Sequence, residues 1–118
     1  MDEKILKYLF DIDSAIFEIE SYFEKVPKDF LAYKQNTMLK RAIERDLEII
    51  GEAVNKILKK DTSFSEKISE SRSIIGLRNL VIHAYDSISD ENIWAVLINH
   101  LPKLKIEIKN LIKNSQIS

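Results

Sequence analysis

Apolar residues recur along this chain at steps of three and four. Ile5, Leu9, Ile12, Ile16, Ile19 and Phe23 make the first stripe, the spacing of an amphipathic helix. Val26-Pro27 ends it, because the residue before a proline is pushed out of the α region. A short helical turn over Asp29–Tyr33 follows, then a long helix from about Gln35 to Lys59 striped by Leu39, Ile43, Leu47, Ile50, Val54 and Ile57. Asp61-Thr62-Ser63 reads as a loop with a capping oxygen for a short helix over Phe64–Ser69. The next helix is predicted over Ser73–Ile88 on Ile74, Leu77, Val81, Ala84 and Ile88. Ser89-Asp90-Glu91 supplies a cap and first-turn acids for a last helix reaching about Asn114, which Pro102 should kink or split. The pattern predicts an all-α fold, a small antiparallel bundle of about four to five helices forming one domain over 1–118.

Composition narrows this further. Two glycines and two prolines in 118 residues are far below the average usage of about 12%, so the many tight turns of a sandwich or barrel are excluded. Hydrophobic residues at 45% and charged ones at 31% suit a packed core. The net charge of −1 shows no basic or acidic tail. With no cysteine there is no disulfide, thiol nucleophile or thiolate metal site. Met1-Asp2-Glu3-Lys4 opens no signal peptide, and no apolar run approaches the ~20 residues of a membrane span. A cytoplasmic protein with no membrane contact is expected.

Three places depart from simple amphipathic order. Taking about 100° per residue from Leu39, Asp46 falls at roughly −20°, inside the apolar stripe of the long helix. A carboxylate there needs a partner. It serves either as a structural contact to a neighbouring helix end or water-filled groove, or to orient a catalytic side chain. Arg41, Arg45, Glu48 and Glu52 form a charged flank with ordinary i,i+3 and i,i+4 spacings. Gly51 costs about 1 kcal/mol against alanine in mid-helix, which points to a close helix crossing.

The third place is Gly76-Leu77-Arg78-Asn79-Leu80-Val81-Ile82-His83-Ala84-Tyr85. Taking Leu77 as zero, Arg78 and Tyr85 lie near 80–100°, beside the core stripe, while Asn79 and His83 share the back at roughly 200–240°. Ile75 and Ile82, at roughly 140–160°, are predicted to point away from the core, so this face is expected to be covered by a second copy of the chain. No Glu-x-x-His, His-Glu-x-x-His, phosphate loop, nucleophile elbow or calcium loop occurs. Neither a metal nor a cofactor is therefore expected.

The run from Arg78 to Tyr85 resembles the Arg-x4-His-x-Tyr signature of the HepT-like family in the HEPN superfamily. The stretch Ala42–Ala53 is similar to that family's long second helix, and Ile93-Trp94 with Leu101-Pro102-Lys103-Leu104 to its tail. Phe64–Ser73 departs from relatives that carry proline and tryptophan there. The resemblance implies a HEPN-like bundle and a metal-independent endoribonuclease, the toxin of a toxin–antitoxin pair. It further implies a homodimer with motif helices facing across a cleft, and an MNT-type nucleotidyltransferase as antitoxin. By the same resemblance Arg78 and His83 cleave RNA, Asn79 is the polar motif residue, and Tyr85 accepts AMP from the partner. These residue types suit the chemistry: histidine exchanges protons near neutral pH, and a guanidinium holds phosphate oxygens. The alternative is a non-catalytic helical adapter that uses the same face to bind a nucleotide or a nucleotidyltransferase.

Overall fold

A computed structural model describes the backbone of residues 1–83 and 89–117, and the side chains of 1–79 and 89–116. Helix α1 spans Glu3–Tyr22, α2 Phe30–Gln35, α3 Thr37–Lys60, α4 Phe64–Lys67, α5 Ser71–His83, α6 Asp90–Ala95 and α7 Leu101–Ile117. A π-helical turn over Val96–His100 joins the last two. No strand occurs among the described residues. The fold is all-α, as the periodicity predicts.

Four helix starts have a local cause. Asp2 accepts hydrogen bonds from the backbone of Lys4 and Ile5, Asp29 from Ala32, Asn36 from Leu39 and Ser89 from Asn92. These caps satisfy N–H groups that have no partner within the helix. The predicted stripes of α1 and α3 form the core, where Leu9, Ile12 and Ile16 meet Ile43, Leu47 and Ile50, all essentially fully buried; the side chains of Val81, Ala84 and Ile88 in the stripe of the next helix lie outside the described residues. Asp2 lies near Lys60 and Tyr22 reaches Asp46, so α1 and α3 run antiparallel. Lys105 pairs with Glu20 and Lys109 with Asp13, which sets α7 antiparallel to α1. Phe23, Phe30 and Tyr33 ring Trp94 at centroid distances of 6.0, 6.0 and 5.3 Å, fastening α6 to the α1–α2 end.

The break expected at Pro102 takes the form of the π turn. Proline has no N–H to give to the carbonyl four residues back and its ring would strike that carbonyl. Widening the turn just ahead relieves this, with Leu101 donating to the carbonyl of Val96. The wider turn also sets His100, whose Nδ1 contacts Glu70 at the start of α5, while Ser69 donates to Glu107 of α7. These contacts anchor the N-terminal end of the motif helix. Among the described residues no helix is long and apolar enough to cross a membrane.

Candidate active site on the fifth helix

Helix α5 lies against α3 through Ile74 and Leu77, both buried. Gly51 marks the crossing. A Cβ built there would stand 2.4 Å from Cβ of Arg78, 3.0 Å from its Cγ and 3.2 Å from its Cδ. The close crossing predicted from Gly51 is real, and what it admits is the stem of the motif arginine.

That seating turns the buried arc of α5 toward Arg78. Ile75 consequently packs half-buried against the chain's own core, which corrects the expectation that it points away. The close approach at Gly51 widens the strip of α5 that α3 covers. Asn79 stays exposed, and the open side at Gly76 has nothing within 4 Å of where a Cβ would stand.

Arg78 itself is half-buried. Its Nη1 donates to Oδ1 of Asn79 at 3.3 Å, while its Nε is shut from water with no hydrogen-bond partner. No carboxylate among the described residues forms an ion pair with it. A buried donor left unpaired costs about 1–3 kcal/mol, which an anion bound at the guanidinium would offset. The backbone of α5 continues to His83, five residues and about 7.5 Å along the axis from Arg78. The side chains of His83 and Ile82, and the whole of Tyr85, lie outside the described residues.

Asp46 is not part of this grouping. It sits roughly 140° around α3 from Gly51 and so faces α1. Only 2% exposed, it accepts a hydrogen bond from the Tyr22 hydroxyl at 2.8 Å; that hydroxyl also lies 2.6 Å from Oε1 of Glu18. Burial pushes the Asp46 carboxyl up to about 6, against the lowering from the Tyr22 hydrogen bond, and nearby Glu18 pushes it further up. Burial and the two carboxylates likewise raise the Tyr22 hydroxyl above its ordinary value. Asp46 does have a partner, the Tyr22 hydroxyl, which helical spacing could not name.

Two features were missed in the sequence. Glu70 and His100 meet across 30 positions, with Lys103 4.0 Å from the same carboxylate. A groove of about 490 Å³ between α1 and α7 is floored by Ile19, Phe23, Leu101 and Ile106. Its Lys105 and Lys109 are already paired with Glu20 and Asp13, and neither Arg78 nor Asp46 lines it. No group of three or more metal-ligating side chains occurs among the described residues.

Comparison with known proteins fits this picture. A protein of Methanocaldococcus jannaschii named as a candidate RNase is 31% identical over 104 residues, covering 86% of this chain and 91% of its own. A candidate RNase of Caldanaerobacter subterraneus is 31% identical over 108 residues, covering 89% and 94%. A candidate ribonuclease HepT of Thermococcus cleftensis is 33% identical over 107 residues, covering 90% and 94%. No solved structure gives a significant match. The ribonuclease HepT-like family model matches residues 12–111, a span that takes in α3, the Gly51 crossing and the whole motif helix. With that helix seated as described, the chain belongs to the HepT-like ribonuclease family.

Proposed function

We propose that the protein is a metal-independent endoribonuclease whose site is built from Arg78 and His83 of two copies of the chain, and that it is the toxin of a HEPN/MNT toxin–antitoxin pair. The observation that carries the reading is the Arg78 guanidinium, its stem seated on α3, with a buried unpaired Nε and no carboxylate paired with it among the described residues. Such a group is set to receive an anion, and in a ribonuclease family that anion is the RNA phosphodiester.

The proposed reaction is an internal displacement. The ribose 2′-hydroxyl loses its proton to one His83, and its oxygen bonds to phosphorus. The bond from phosphorus to the 5′ oxygen breaks, and that oxygen takes a proton from a protonated second His83. The products are a 2′,3′-cyclic phosphate and a free 5′-hydroxyl. Arg78 stabilises the charge gathering on the phosphoryl oxygens, and Asn79, bonded to Nη1, supports the guanidinium. One histidine cannot be base and acid in the same displacement, and a two-fold dimer supplies both. In this reading Ile82 and the exposed edge of Ile75 lie at the dimer contact. Tyr85 is the hydroxyl on which the nucleotidyltransferase places AMP, whose bulk and phosphate would block the cleft.

The test is RNA cleavage in the presence of EDTA by the wild type and by His83→Ala. Cleavage that resists the chelator and vanishes with the imidazole is expected. Cleavage that survives the substitution, or disappears with the chelator, contradicts the reading.

A further inference from the structure

We propose that Gly51 is a positioning residue of the ribonuclease site: its missing side chain makes a notch in α3 that seats the Arg78 stem and so sets where the guanidinium stands. This rests on Arg78 acting on RNA, as argued above. A glycine at the fifteenth position of a 24-residue helix has a cost of about 1 kcal/mol against alanine and needs a reason. Backbone conformation is not that reason, because no glycine in the described chain has a positive φ. Space is. Three successive carbons of Arg78 lie over the Gly51 Cα, the nearest only 2.4 Å from where a Cβ would be.

The identity of that nearest atom decides what a side chain at position 51 would do. It is the Arg78 Cβ, fixed to the α5 backbone, so no rotation of the arginine side chain relieves the overlap. Helix α5 would have to shift or roll, carrying Arg78 with it. The start of α5 is held through Glu70–His100 and Ser69–Glu107, so the displacement falls on the segment bearing Arg78 and His83. Misplacing a catalytic group by about 1 Å can lower a rate by 10²-fold. Gly76 on the same helix provides the contrast, since nothing among the described residues crowds it.

The experiment compares wild type, Gly51→Ala and Ile57→Val, a buried change on α3 two turns from the notch. It measures kcat and KM on an oligoribonucleotide, the melting temperature, and the NMR resonance of the Arg78 Nε–H. Gly51→Ala is expected to lower kcat about 100-fold and to shift the Nε–H resonance while the chain stays folded. Ile57→Val is expected to lower the melting temperature and leave kcat and the resonance unchanged. A Gly51→Ala protein with wild-type kcat, or with an unmoved Nε–H, overturns the proposal. If Gly51→Ala does not fold, the double variant Gly51→Ala/Arg78→Gly removes the atom that is struck and is expected to fold; an unfolded double variant overturns the notch. Should the wild type cleave no RNA, the ribonuclease reading fails by itself, and the Nε–H shift still decides whether Gly51 places Arg78.

Discussion

Two buried polar residues show how far single side chains govern this molecule. Asp46 has a folded-state carboxyl raised to about 6 from an ordinary 3.8. Between those values the folded protein holds more protons than the unfolded chain, so this group's contribution to stability declines as pH rises through the window. Asp46→Asn keeps an acceptor for Tyr22 and removes the titration. Urea unfolding should find the variant level with wild type near pH 4 and more stable at pH 8, by on the order of 2 kcal/mol. Equal stability at both ends would show that Asp46 ionises without cost. Tyr33 is fully buried against Trp94, yet its hydroxyl has no hydrogen-bond partner. Tyr33→Phe keeps the ring and removes the orphan oxygen, so thermal unfolding should show a gain of roughly 1 kcal/mol; a loss would mean the hydroxyl is satisfied after all.

Helices were legible in the sequence where their causes are local. The stripes of α1 and α3 and the Ser89 cap reappear, because periodicity and capping act over a turn or two, whereas α1 already ends at Tyr22, short of the Val26-Pro27 stop. The cap of α3 is testable on the same terms. Asn36→Ala should cost about 1 kcal/mol in thermal unfolding while Asn36→Asp costs little, since only the alanine leaves the Leu39 N–H without its acceptor. What the sequence could not show are pairings between elements. Gly51 and Arg78 were each conspicuous alone, but nothing in a linear pattern joins positions 27 apart. Ile75 was misplaced because a helical wheel gives an angle and not the distance at which a neighbouring helix packs. Pro102 announced a break, whereas its form as a π turn depends on what surrounds it. His100, with no motif around it, meets Glu70 only once the bundle is assembled.

At the scale of the whole molecule, the single chain presents half of the proposed machinery: the Arg78 guanidinium, one motif helix packed on α3, and an open side at Gly76 and Asn79. A two-fold partner would complete it. Ile82→Glu should therefore produce monomers in analytical ultracentrifugation and abolish cleavage in the same preparation, and a monomer with full activity would contradict a shared site. The chemistry itself is tested most directly by mass spectrometry of the cleavage products. An oligoribonucleotide is incubated in EDTA with wild type, Arg78→Ala or His83→Ala, beside a matched oligonucleotide with a 2′-deoxy sugar at the cut. Cyclic-phosphate and 5′-hydroxyl ends from wild type alone, with the deoxy site untouched, are expected. Ends bearing a 5′-phosphate, cutting at the deoxy site, or the same products from either variant would contradict an Arg78–His83 ribonuclease.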